Sequence, residues 1–418
     1  MNKQIKRDIY LDRLIRRRHN GRIKIVTGVR RSGKTYLLFK LFANWLQQQG
    51  VSSDHIIKVN LEDRRNKELR DPDNLLTYID SLITDDSMHY VMIDEIQHVK
   101  EFEDVLNSYL SMENVDVYVT GSNAKFLSKD VITTFRGRGD EVRIYPLSFA
   151  EYHSATGLSK EEDLKDYMIY GGLPQTVFME SDEEKASFLK GIFEETYIRD
   201  IKERYDIEKE DEFEKLLDII SSTVGSLTNP QKLANSFDSV LKSNLSAVTI
   251  KKYLEYLCDS FLVEKATRYD VKGKKYIDTP YKYYLADPGL KNARINFRQP
   301  DQSHVMENII YNELRKRGYN VDVGVVSVVK REDGKQVRRQ YEIDFVCNLG
   351  SARYYIQSAY RMESESKVEQ EEKSLRNVDD SFKKIIILGE HTPVLRNDTG
   401  ITTISIYDFL LNENSLEF

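Results

Sequence analysis

Residues 28–35 read Gly-Val-Arg-Arg-Ser-Gly-Lys-Thr and fit the pattern G-x-x-x-x-G-K-[ST]. They sit between "RIKIVTG" (22–28), an apolar run ending in Gly, and "YLLFKLFANWLQQQG" (36–50), whose apolar residues recur at helical spacing up to a terminal Gly. A loop placed between a strand and a helix in this way cradles phosphate oxygens in its backbone amides. The helix adds its positive N-terminal end. Gly28, Val29, Arg30, Arg31, Ser32 and Gly33 would form the cradle, Lys34 would reach the β/γ-phosphates and Thr35 would hold Mg²⁺. The implied ligands are ATP and Mg²⁺.

Four more short apolar runs follow: "HIIKVNLED" (55–63), "HYVMIDE" (89–95), "VDVYVTGSN" (115–123) and "EVRIYPL" (141–147). Polar helical segments separate several of them, which predicts a parallel α/β sheet within about the first 150 residues. Asp94 ends one run, where it would hold Mg²⁺ through water, and Glu95 would polarise the attacking water. This acidic pair argues for ATP hydrolysis rather than small-molecule kinase chemistry. Ser122 or Asn123 would hydrogen-bond the γ-phosphate or the water. Arg136 and Arg138, in "TTFRGRGDE", are candidates for a charge-stabilising finger that enters a neighbouring subunit's site.

A chain of 418 residues is too long for one core. The net charge of −6 does not announce a nucleic-acid binder, yet residues 1–40 carry thirteen Lys/Arg against two Asp. An acidic protein can still present a basic working face. The first twenty residues have no apolar signal core, and no run approaches the roughly 18 apolar residues of a membrane span. Cys258 and Cys347, each inside an apolar run, lack zinc-ligand spacing. Reduced cysteines and no leader predict a cytoplasmic protein.

From about 150 to 225 the pattern is helical. "NPQKLANSF" and "SAVTIKKYLEYLCDSF" then read as helix, turn, helix, with Ser246 as a cap, before the hairpin "TRYDVKGKKYIDTPYKYYL". Arg268, Lys272, Lys274, Lys275 and Lys282 make that hairpin basic. Helix-turn-helix plus a basic wing is the winged-helix plan, and basic wings contact phosphates, so Arg268, Lys272, Lys274 and Lys275 are candidate DNA contacts.

The Gly28–Thr35 loop, "IDEIQ", "TGSN", "PLSFAEY" and "YGGLP", in this order, resemble a prokaryotic AAA-type P-loop ATPase family. Its members carry a C-terminal domain similar to PD-(D/E)XK nucleases. The resemblance spans essentially the whole chain and implies ATP binding and hydrolysis; "PLSFAEY" and "YGGLP" are family marks without a known chemical role. The expected fold is α/β: an AAA-type P-loop parallel sheet (1–150), a helical lid (151–225), a winged-helix-like region (226–290) and a mixed α/β restriction-endonuclease-like domain (291–418).

In that last region Glu307 lies on the apolar face of "HVMENIIYNELRKRGY", and Asp344 lies in the strand "QYEIDFVCN". Strict alternation puts Glu342, Asp344 and Val346 on one face, opposite Tyr341, Ile343 and Phe345. A nuclease of this class also needs an acid and, two residues on, a lysine, to hold metal and offset developing charge. Gln357 and Ala359 stand there instead, which predicts a degenerate site, with Lys367 or Lys373 as conceivable replacements for the lysine.

The function expected is an ATPase coupling turnover to DNA binding or remodelling, on branched or forked DNA among other forms, within a homo-oligomer such as a hexameric ring. The alternatives are an ATP-regulated, Mg²⁺-dependent DNA nuclease and an ATP-dependent switch acting on a protein partner. The acidic stretch 361–380, with seven Asp/Glu against four Lys/Arg, suits the last.

Overall fold

The structure is a computed structural model that describes residues 4–121, 137–240, 242–298, 301–332 and 335–418. The chain divides into two compact units: residues 1–146 with 259–261, and residues 147–258 with 262–418.

The first unit is built on five strands: β1 (Ile23–Thr27), β2 (Ile56–Asn60), β3 (His89–Asp94), β4 (Val115–Gly121) and β5 (Gly139–Arg143). All pair in parallel, in the order β2-β3-β4-β1-β5. A parallel sheet is covered on both faces, so its strands are mostly apolar, and β1 and β3 are buried over their whole length. Alternate residues feed two separate cores. Ile25, Val91, Ile93, Val117 and Val119 pack with Leu75, Ile79 and Leu106. Val26, Met92 and Tyr118 pack with Leu38, Phe42 and Leu46 from the helix after the loop. That helix starts at Lys34, passes through a wider π-type turn at Leu37–Phe42 and ends at Gln48.

The second unit opens with helices Phe149–Thr156, Lys160–Tyr170 and Asp182–Gly191. Each starts with the same reciprocal device: a Ser (Ser148, Ser159, Ser181) bonded to the Glu three residues on. Two otherwise orphan amides are satisfied at each start. Helices Glu210–Ser222, Pro230–Ser239 and Ala247–Asp259 follow. A mixed sheet then takes β6 (Val263–Asp270), β7 (Lys275–Leu285), β8 (Asn320–Glu332), β9 (Lys335–Leu349), β10 (Ala352–Ala359), β11 (Lys383–Leu388), β12 (Leu395–Arg396) and β13 (Ile401–Ser405). Its order is β12-β13-β11-β10-β9-β8-β6-β7.

The β6–β7 hairpin, expected to be a free wing, is therefore the edge of this sheet. β6 pairs with β8 through Arg268–Asp270 against Val323–Val325, which binds the hairpin to the C-terminal strands by main-chain hydrogen bonds. The helices Gln302–Lys316 and Glu365–Arg376 cover the centre of the sheet on opposite faces: Tyr311 of the first approaches Phe345, and Leu375 of the second packs with Ile343, Val346 and Tyr355.

Candidate functional site

The loop after β1 is shaped by its glycines. Gly28 has φ 139°, and a Cβ there would lie 2.1 Å from the Ile144 carbonyl oxygen, so no side chain fits. Gly33, at φ 94°, turns the chain into the helix. Buried Arg7 donates to the Ser32 carbonyl at 3.0 Å and to the Tyr145 carbonyl at 2.6 Å, tying the loop down. Lys34 is buried, and its ammonium donates to the carbonyls of Gly28 (3.0 Å) and Val29 (3.2 Å). Burial lowers its pKa, against the opposing pull of Glu95 and Asp94. Arg30 pairs with Glu62 at 3.6 Å, and Arg31, at φ 63°, is exposed.

β4 lies between β1 and β3, and it joins the two halves of the site. Thr35 Oγ1 donates to the Asp94 carboxylate at 2.9–3.0 Å. Thr120, near the end of β4, donates to Asp94 Oδ1 at 2.6 Å and accepts from the Glu95 amide at 3.0 Å. Glu95 has φ 54°, a strained left-handed conformation for a side-chain-bearing residue, and Gln97 Nε2 donates to its carboxylate. Burial, more than any neighbour, raises the Asp94 pKa. Thr35 and Asp94 thus present hard oxygen donors side by side, the chemistry that Mg²⁺ selects; it takes few protein ligands and keeps its water and phosphate ligands. Thr120 and Gln97 were not legible as site residues. The only hint of Thr120 is a polar residue closing an apolar strand.

Ser122, Asn123 and Arg136 lie outside the described residues. Arg138 is exposed, and its carbonyl accepts from the Ile23 amide at 2.9 Å, level with the start of β1. The loop leaves the other end of that five-residue strand, roughly 13 Å away at about 3.3 Å per residue. Arg138 therefore does not join the loop of its own chain.

In the second unit the expected acids meet, but with different companions. Lys282, on β7, is buried and lies 2.9 Å from Glu307, 2.8 Å from Glu342 and 3.5 Å from Asp344. Tyr284 donates to Glu307 at 2.7 Å, and the Ser358 amide donates to Asp344 at 2.9 Å. Burial, with Glu307 nearby, pushes Asp344 up to about 7.

Gln357 is not part of this group. It accepts from Ser374 on the helix that covers the opposite face of the sheet. The strand parity also needs correcting. Asp322 pairs with Val346 and Gly324 with Ile343, so Asp344 and Phe345 together oppose Val323. This β-bulge turns Phe345 toward Tyr311, on the Glu307 side, and Val346 to the other face. The ammonium facing these acids belongs neither to Lys367, which pairs with Glu371 at 2.7 Å, nor to Lys373, which lies over the Tyr341 ring. It belongs to Lys282, counted in the sequence among the basic residues of the hairpin. The alternation of Lys282 and Tyr284 within the apolar end of that run was the available signal.

Of the candidate DNA contacts, Arg268 is half-buried within β6, whereas Lys272, Lys274 and Lys275 are exposed around the hairpin turn. Lys272 pairs with Asp379 at 2.9 Å.

The "YGGLP" stretch has a structural task. The Gly172 amide donates to Asp287 at 2.6 Å, and the Leu290 amide donates to the same carboxylate at 3.1 Å. A Cβ on Gly171 would fall 2.0 Å from that carboxylate, and one on Gly172 2.3 Å from the Leu147 carbonyl. Gly171 makes room for a fully buried acid, whose pKa burial raises to about 6, and Gly172 lets the chain pass close to the Leu147 carbonyl.

Residues 20–153 match the AAA domain family, and residues 161–301 match a domain of unknown function, DUF8612. An uncharacterised protein of Methanocaldococcus jannaschii is 28% identical over 404 residues, covering 93% of this chain and 85% of its own. The replication initiator DnaA, solved with AMPPCP and single-stranded DNA, aligns at 14% identity over 59% of this chain and 86% of its own, with a TM-score of 0.32. An uncharacterised protein of Haemophilus influenzae is 34% identical over 413 residues, covering 97% of this chain and 98% of its own. With an AAA-type P-loop domain in its first unit, the chain belongs to the family of that Haemophilus influenzae protein.

Proposed function

We propose that the protein is a Mg²⁺-dependent ATPase that couples nucleotide turnover to DNA binding or remodelling. The observation that carries the ATPase reading is the Thr35–Asp94–Thr120–Glu95 chain of hydrogen bonds beside the Gly28–Thr35 loop. Loop amides and the Lys34 ammonium would bind the β- and γ-phosphates, and Thr35 with Asp94 would hold Mg²⁺. When bound, that ion neutralises charge developing on the phosphate oxygens. Glu95, its backbone anchored on Thr120 and its carboxylate on Gln97, would orient a water for in-line attack. The position of Arg138 suits a finger reaching a second copy in a homo-oligomer.

Support for the DNA half is compositional and topological. Helices Glu210–Ser222, Pro230–Ser239 and Ala247–Asp259, a bridge between Thr228 and Tyr281, and the β6–β7 hairpin follow the winged-helix order. Exposed Lys274 and Lys275 flank the hairpin turn. The test is ATPase rate with and without duplex, single-stranded and branched DNA. Stimulation with salt-sensitive binding is expected, and the absence of both would remove the DNA half. Lys34→Ala is expected to lose nucleotide binding, and Glu95→Gln to bind ATP without turning it over.

A second reading, a metal-dependent nuclease, gains from the position of Lys282. One ammonium faces three carboxylates, a donor set that would still welcome a divalent cation. Incubation with several DNA forms and Mg²⁺ or Mn²⁺ tests it: cleavage abolished by Asp344→Ala supports it, and cleavage unaffected points to a contaminant. The protein-partner switch loses ground, because the helix Glu365–Arg376 pairs its own charges at Lys367–Glu371 and Arg376–Glu372.

A further inference from the structure

At the end of the parallel sheet away from the nucleotide loop, three potential metal ligands meet. His89 is the first residue of β3, and His55 immediately precedes β2. Because Ile56 pairs with Tyr90, the two histidines stand level on neighbouring strands, and their ring centroids are 4.5 Å apart. Asp85 comes from the turn leading into β3, with its Oδ2 3.1 Å from His55 Nε2. A ligand atom from each of the three lies within 4.8 Å of the other two.

The surroundings organise these groups as a metal site would. The Asp85 Oδ1 atom accepts from the Ser87 amide at 2.8 Å, which fixes the carboxylate. His89 is fully buried, and its Nδ1 meets the Ser87 carbonyl at 2.7 Å. A carbonyl only accepts, so Nδ1 carries the proton and Nε2 the lone pair. That Nε2 is buried and has no hydrogen-bond partner among the described residues. An imidazole whose far nitrogen is held by a carbonyl, leaving the other as a bare donor, is the usual arrangement of a metal-bound histidine. Asp94, at the other end of β3, is five residues or roughly 16 Å away, so this is not the Mg²⁺ position.

We propose that His55, Asp85 and His89 bind a late first-row divalent cation, with Zn²⁺ the best fit. Two imidazoles and one carboxylate satisfy three of its four tetrahedral positions, and water takes the fourth on the half-exposed Asp85 side. The ion would clamp the starts of β2 and β3 and the 85–89 turn together.

The test is calorimetric titration of the chelator-stripped, nucleotide-free full chain with Zn²⁺, with Co²⁺ absorption as a second readout. One equivalent is expected, with visible bands of a tetrahedral Co²⁺ site and a higher Tm in Zn²⁺ than in Mg²⁺. His55→Gln and Asp85→Asn, changes outside the buried core, should weaken uptake by more than the roughly 10- to 100-fold cost of losing an outer-shell partner. Asp94→Asn should leave it unchanged. The proposal is overturned if the wild type takes up no Zn²⁺ at micromolar free metal, or if His55→Gln and Asp85→Asn bind it as tightly as the wild type does. His89→Gln extends the test to the buried ligand; if that variant fails to fold, the two outer variants still decide.

Discussion

Gly28 carries two independent constraints, a left-handed φ and a carbonyl where a methyl would go. Gly28→Ala is expected to cost at least about 2 kcal/mol, strain and overpacking each being about 1–3 kcal/mol. Urea denaturation would show the loss, together with weaker binding of an ATP analogue. Thr120 makes a different kind of contribution. Thr120→Val removes the donor to Asp94 and leaves the Glu95 amide without its acceptor, a penalty of about 1–3 kcal/mol. Its mark should be a fall in kcat with KM little changed, because the phosphate cradle is untouched. Lys34, Thr35 and Asp94 were legible because local sequence fixes their roles: a loop of set length and an acid closing an apolar run. Thr120 was not, because its role depends on which strand lies between β1 and β3, and that order is a tertiary fact.

Among the elements, β7 shows how a strand can mislead. Its first half is largely exposed, and its second half is buried, carrying Lys282 into a group of carboxylates. Lys282→Met should destabilise the second unit by about 3–5 kcal/mol at neutral pH, since it strands buried negative charge. The double variant Lys282→Met/Glu307→Gln should recover part of that loss in thermal unfolding. Four of the five strands of the first unit were readable as mostly apolar runs, whereas β5 (Gly139–Arg143) carries Asp140, Glu141 and Arg143, is only partly buried and starts two residues before the run read at 141–147. The bulge at Asp344–Phe345 was not readable: an extra residue leaves no mark in composition, yet it changes which face every later side chain takes.

For the whole molecule, two buried acids tie stability to pH. Asp287 and Asp344 have folded-state pKa values raised to about 6 and about 7, chiefly by burial. The unfolded chain releases those protons near about 3.9. Between about pH 4 and pH 7 the folded state therefore holds protons that the unfolded state has lost. These groups make stability fall as pH rises through that window. Asp344→Asn, which keeps an acceptor for the Ser358 amide, should flatten the pH 5 to pH 8 difference seen by chemical denaturation.

The bond from Gly172 to Asp287 joins positions 115 residues apart, and it rules on how the chain may be cut. A fragment ending before residue 287 would retain Gly171, shaped around an acid it no longer has, with the buried Gly172 amide left bare. The helices after residue 147 are therefore not a detachable module. The matched stretch 161–301 holds both ends of the bond but severs another, since Asn308 donates to the Leu285 carbonyl at 2.8 Å and accepts from the Leu285 amide at the same distance. Expression of residues 147–418, which hold the whole of the second unit, as one piece spares both.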